Sequence, residues 1–105
     1  DMFVIRGVNV YPASIEAVLL DIEKAEPHYQ VMLYREGSLD QIEVQMEVAP
    51  SFFSDAVRKL QGFQQHVEER LRQELGIRPR VRLVEPKTIP RSPGVANRII
   101  DNRGV

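Results

Sequence analysis

Two loops rich in glycine and proline are where this sequence could do chemistry. In "PRSPGVANR" (residues 90–98) Arg91 and Arg98 offer planar guanidinium forks suited to phosphate or carboxylate, yet the residue next to Gly94 is Val95, which has neither charge nor hydrogen bond to give. In "RGVNVYP" (residues 6–12) Gly7 has no side chain, so a ligand can come close to the backbone. A plainer reading stands beside each: Gly7 only permits a turn, and the prolines only stiffen a C-terminal tail. No other arrangement resembles a self-sufficient active site. The serines are not paired with a histidine or an acid by a motif, there is no glycine-rich phosphate cradle, and the acidic residues fall on exposed strand or helix faces. His28 and His66 are far apart and there is no cysteine, so no metal site is expected.

The chain has 105 residues, enough for one domain with one core, and 43% hydrophobic with 28% charged residues is ordinary for a soluble globular protein. No apolar run approaches the ~20 residues of a membrane span, so no membrane partner is expected. Charge is lopsided. Residues 1–69 hold 5 Lys/Arg against 12 Asp/Glu, a net of −7, while residues 70–103 hold 9 against 3, a net of +6. A basic end of this kind can receive phosphates, although a solvated face is the commoner cause of a charge run. It contains no aromatic residue after Arg70, so the stacking platform of a single-strand nucleic-acid binder is missing and no nucleic acid is expected. The sequence opens at Asp1 with no signal-peptide pattern, and the expectation is a piece of a longer cytoplasmic polypeptide.

The elements that must position the two loops read as follows. "MFVIR" (2–6) suits a short buried strand. Pro12 suits a first helical position, and Ile15, Val18, Leu19 and Ile22 make one apolar stripe, with Glu26-Pro27 ending the helix. "YQVMLYR" (29–35), a turn "EGSLD" and "QIEVQMEV" (41–48) read as a hairpin whose second strand alternates apolar and wet positions. A second helix starts after Ser54 or Asp55, carries Val57, Leu60, Val67, Leu71 and Leu75 inward, spaces Glu68 and Arg72 for an i, i+4 pair, and stops at Gly76. "RVRLV" (80–84) is a strand, and "RIID" can add a last short one. The expected fold is α+β: a single domain over 1–105, a ferredoxin-like β-α-β-β-α-β sandwich with a mainly antiparallel sheet, both helices on one face, and a C-terminal loop and strand extension.

Both loops carry a family resemblance. "DMFVIRGVNVYPASIE" resembles the start of the C-terminal domain of adenylate-forming ligases, and R-G-V-N-V-Y-P is most similar to phenylacetate–coenzyme A ligases. "VRLVEPKTIPRSPGVANRIIDNR" resembles the end of that domain, where P-x-S/T-x-G-K-x-x-R is expected. The resemblance implies ATP and coenzyme A as substrates of a full enzyme, Mg2+ accompanying ATP outside this domain, and a large N-terminal adenylating domain as partner. It implies that Arg6, Gly7, Val8 and Asn9 line the pantetheine approach, that Arg91 and Arg98 meet phosphate or nucleotide, and that Asp1 lies at or next to a hinge. The departure is at Val95, which stands where the family has its lysine. Lys87, Arg91 and Arg98 are the nearby cations that could replace it. Two other readings share this plan: a small effector-binding or dimerising regulatory module, with a homodimer formed edge to edge, and a ligase paralogue with impaired adenylation.

Overall fold

The chain begins with a tight hairpin. In the computed structural model, which describes residues 2–23, 28–54, 57–91 and 98–104, β1 (Phe3–Ile5) turns straight back into β2 (Val8–Val10), with Ile5 opposite Val8. Both turn residues have positive φ, 48° at Arg6 and 80° at Gly7, the type I′ geometry whose twist matches a two-residue hairpin. The chain continues through α1 (Pro12–Glu23), β3 (Tyr29–Glu36), β4 (Leu39–Glu47), a single turn α2 (Ser51–Ser54), α3 (Val57–Leu75), β5 (Arg80–Val84) and β6 (Ile99–Asp101). The α+β class with interleaved helices and strands is as expected.

The sheet differs from the expected plan in two respects. First, β1 pairs only with β2, and the four-stranded sheet runs β5-β4-β3-β6. Three residues that fold back at once spend their ladder on their own return strand, so β5 pairs directly with β4 where β1 was expected between them, and β6 adds to the other edge at β3. Second, the sheet is mixed. Its long centre, β3 with β4, is antiparallel, whereas β5 joins β4 and β6 joins β3 in parallel. The central hairpin turns at Gly37-Ser38, shorter than "EGSLD", because Arg35 and Asp40 are already ladder partners.

One face of the sheet makes the core. Val31, Leu33, Val44, Met46 and Val81 are fully buried there, together with Ile15 and Leu19 of α1 and Val67 and Leu71 of α3, so both helices lie on this face. Ile5 and Val10 of the small hairpin join the same cluster. Helix α1 starts at Pro12, whose missing N–H costs nothing there. The Glu26-Pro27 stop lies outside the described residues, as does Asp55, one of the two expected caps of α3. Gly76, at φ 85°, ends α3 with its amide donating to the Arg72 carbonyl at 2.9 Å. The expected Glu68–Arg72 pair is not formed: Arg72 binds Glu69 at 2.6 Å, and Glu68 turns to Arg78 and to the Val81 amide. A carboxylate facing an unpaired amide at the start of β5 has a better partner than a freely solvated arginine.

Two substitutions in α3 should move stability in opposite directions. Leu71→Ala empties a fully buried position and should lower unfolding free energy by about 2–5 kcal/mol. At Gly62→Ala the new methyl meets nothing within 4 Å, and the change should raise stability by about 0.5–1 kcal/mol in urea unfolding.

Candidate functional site

The β3–β4 hairpin, with eight paired residues, spans roughly 25 Å; the Arg6-Gly7 turn lies at one end of it, and Arg91 and Arg98, the flanks of the second loop, lie at the other. At the tip end lies the Arg6-Gly7 turn. Arg6, Gly7 and Asn9 are exposed and Val8 is half-buried. A methyl group built on Gly7 meets nothing within 4 Å, so packing within this chain does not require a glycine there; its positive φ does, and the space above it is open. The turn and the tip of the central hairpin enclose an open groove of about 490 Å³ lined by Gly7, Arg6, Arg35, Ser38, Leu39 and Asp40 among others.

Arg103 holds the small hairpin in place. Its Nη1 donates to the Val4 carbonyl at 2.6 Å and to Asp40 at 2.9 Å, while Nε and Nη2 each reach Asp101 at 3.0 Å. Arg35 binds the other Asp40 oxygen at 2.9 Å. Hydrogen bonds from Arg35 and then Arg103 hold the Asp40 carboxyl below the usual range. Arg103 likewise holds Asp101 down through its side chain and its amide. The side chains of Arg103 and Asp40 are only 15% and 19% exposed, so this is a partly desolvated network rather than a loose surface pair.

At the other end, Glu47 closes β4 with its side chain 6% exposed. It accepts from the Lys87 amide at 2.9 Å, the Ile89 amide at 3.0 Å, and both terminal nitrogens of Arg91 at 2.7 and 3.0 Å. Burial pushes its carboxyl up, but the bidentate Arg91 and the two amides win, and its pKa falls to about 2. The segment it grips turns at Pro86-Lys87, where Thr88 donates through its amide and hydroxyl to the Glu85 carbonyl at 3.3 and 2.6 Å. Lys87 takes φ 66° in the third position of this turn, where glycine is usual. Beyond it the chain is fastened again at Arg98, whose guanidinium lies 4.9 Å from the Tyr29 ring centre and 3.2 Å from Glu16. The Tyr29 hydroxyl donates to the same Glu16 oxygen at 3.0 Å. Burial, reinforced by Glu16 and opposed by Arg98, pushes that hydroxyl above the usual tyrosine range.

Arg91 and Arg98, expected to face phosphate, are thus tied to Glu47 and Glu16 and hold the two ends of the loop between them. That loop, residues 92–97 with Gly94 and Val95, lies outside the described residues, as does Asp1. Much of the basic C-terminal third is spent in the same way, with Arg70 on Asp21, Arg78 on Glu68 and Glu69, and Arg103 on Asp40. Among the described residues Lys87 and Arg6 make no ion pair. Glu16, Glu47 and Arg103 were missed by sequence reasoning. Nothing local separates Glu47 from Gln41, Glu43 and Gln45 on the same wet face; the one available signal was the opposite charge of the two parts of the chain. Among the described residues no group of three His, Cys, Asp or Glu is placed to hold a metal ion, and no helix is long and apolar enough to cross a membrane.

Residues 7–103 match the model of the AMP-binding enzyme C-terminal domain family. The chain is 39% identical to the phenylacetate-coenzyme A ligase of Thermus thermophilus over 98% of its length, and it spans only about a quarter, 26%, of that relative. Among solved structures it is similar to a domain of phenylacetate-coenzyme A ligase from Bacteroides vulgatus, with TM-score 0.85 and 32% identity over 98% of this chain and 93% of that one. It is also similar to 2-hydroxyisobutyryl-CoA ligase in complex with 2-HIB-AMP and CoA in the thioesterification state, with TM-score 0.82 and 32% identity over 99% of this chain and 22% of that one.

The Glu47 clamp makes a pH prediction. Its folded pKa, about 2, lies below the ordinary 4.5, so its stabilisation is complete above pH 4.5 and is lost as pH falls toward 2. Allowing for the solvent around Arg91, the shift corresponds to about 2 kcal/mol. Glu47→Gln should therefore be less stable than wild type by about that amount at pH 7, and the gap should narrow below pH 4.5 in urea unfolding. A gap independent of pH would mean that the charge of Glu47 is not what holds the segment.

Proposed function

The chain belongs to the family of AMP-binding enzyme C-terminal domains, and on that premise we propose that it is the small domain of an ATP-dependent acid–thiol ligase resembling phenylacetate–coenzyme A ligase. The full enzyme joins a carboxylic acid to ATP, giving an acyl-adenylate and pyrophosphate. The thiol of coenzyme A then attacks the acyl carbon, AMP leaves, and a thioester remains. ATP, its Mg2+ and the acid are held by an N-terminal adenylating domain, so the isolated domain is inactive.

The observation that carries this reading is the separation of the Arg6-Gly7 turn from Arg91 and Arg98 by the length of one stiff hairpin. Groups roughly 25 Å apart cannot both enter one active site in a single pose. A domain pivoting at or next to Asp1 offers first one end and then the other, one for each half-reaction. The Arg6-Gly7 turn suits the thioester step: the backbone near Gly7, Val8 and Asn9 is open, and a thiol-bearing arm can pass close to it. The segment between Arg91 and Arg98 suits the adenylating step, since both flanking residues are fastened, Arg91 to Glu47 and Arg98 to Glu16. Arg91 and Arg98 serve that step as positioning residues through Glu47 and Glu16.

Val95 supplies no charge to the developing anion, and loss of one such preorganised contact costs roughly 10²–10³-fold in rate. In the full-length protein, acid-dependent pyrophosphate exchange should be slow and Val95→Lys should raise it by a factor in that range. Thioester formation from a supplied acyl-adenylate should be fast in both. If the lysine brings no gain, residue 95 is not the position that delivers the charge.

A further inference from the structure

We propose that Lys87 supplies the cation for the adenylating step that Val95 cannot, reaching the developing anion from the turn that Glu47 pins at the end of β4. This rests on the reading that this end of the domain faces the adenylating step.

Of Lys87, Arg91 and Arg98, the cations that flank residue 95 in the chain, the fold has engaged two. Arg91 gives both terminal nitrogens to Glu47, at 2.7 and 3.0 Å, and Nη1 also reaches the Ile89 carbonyl at 3.3 Å. Arg98, with its side chain 15% exposed, lies over the Tyr29 ring and binds Glu16 at 3.2 Å. Withdrawing Arg91 to meet a substrate would strand a carboxylate that is only 6% exposed, and a buried charge without its partner is costly. Lys87, by contrast, is exposed and makes no ion pair among the described residues. Its ammonium can meet a substrate without breaking an ion pair of the domain.

The backbone that carries Lys87 is fixed. Its turn runs from Glu85 to Thr88, is preset by Pro86 in the second position and is closed by the Thr88 amide on the Glu85 carbonyl at 3.3 Å. The Lys87 amide donates to Glu47 Oε1 at 2.9 Å, the same oxygen that takes Arg91 at 3.0 Å. At φ 66° the residue holds the left-handed conformation for which such a turn uses glycine. A lysine there strains the backbone and gains no ion pair in return, and strain of this kind clusters at functional sites. Its four-carbon stem carries the ammonium roughly 6 Å out from the anchored Cα. In the adenylating step a carboxylate oxygen bonds to the α-phosphorus of ATP as the bond from that phosphorus to the pyrophosphate oxygen breaks. Negative charge passes to pyrophosphate, and an ammonium beside the reacting oxygens stabilises it with no proton transferred. A lysine reaching in from a neighbouring turn is less well placed than one at residue 95, so the exchange it supports is slower than that of Val95→Lys.

The test measures phenylacetate-dependent pyrophosphate exchange in the full-length protein, beside thioester formation from supplied phenylacetyl-adenylate. Lys87→Gly should lower exchange by roughly 10- to 100-fold, the worth of one charge-assisted contact, while the thioester step keeps its rate. It should do so without lowering the urea unfolding midpoint, because glycine relieves the strained turn. Lys87→Arg should keep part of the exchange. In a Val95→Lys background, where residue 95 brings the charge, Lys87→Gly should cost little. Unchanged exchange in Lys87→Gly overturns the proposal, as does an equal loss in both half-reactions, or exchange that is present in Val95→Lys and absent from wild type. Glu47→Gln separates that failure from failure of the underlying reading. If Lys87→Gly has no effect but Glu47→Gln lowers exchange, this end of the domain serves adenylation without Lys87; if neither change lowers it, the end does not serve that step.

Discussion

A nearly buried carboxylate must be answered by donors from wherever the chain can bring them, and at Glu47 they come from about forty residues downstream. Two amides and one arginine fork converge on it, and each fixes a different point of the segment from Lys87 to Arg91. That segment has no ladder of its own. Without Glu47 its course along the end of β4 would rest on little more than buried Ile89. The Arg98 contact with Glu16 and Tyr29 fastens the chain again just before β6. At the hairpin tip, Arg103 performs the matching task by tying β1, Asp40 and Asp101 together.

This arrangement gives the lopsided charge of the sequence a different meaning from the one it first suggests. A basic C-terminal third following an acidic remainder looks like a surface for phosphates. Folded, most of its arginines face acids of the earlier part, and the asymmetry is largely complementarity within one domain. Among the described residues of the basic part, Arg80, Arg82 and Lys87 are exposed and make no ion pair.

Periodicity was legible where one face of an element meets the core. Ile15, Val18 and Leu19, the alternation from Ile42 to Val48, and Val67, Leu71 and Leu75 of α3 are buried as their spacing requires, whereas Leu60 is half-buried. Strand pairing was not legible, because it depends on which ladder a short segment reaches first. "MFVIR" contains a strand, yet Arg6-Gly7 turns it back on Val8–Val10, and β4 and β5 pair directly without it. The candidate loops were visible as motifs, but what holds them was not. Glu47 and Glu16 differ from their solvated neighbours only in what lies opposite, and opposition across the fold carries no local signature.

The central claim is that the two ends of the β3–β4 hairpin serve different half-reactions. It is tested most directly by measuring both half-reactions in full-length protein carrying a change at one end only. With Glu47→Gln, acid-dependent pyrophosphate exchange should fall while thioester formation from a supplied acyl-adenylate keeps its rate; with a bulky residue at Gly7 the pattern should reverse. If either change slows both steps equally, the two ends do not divide the work and the account fails.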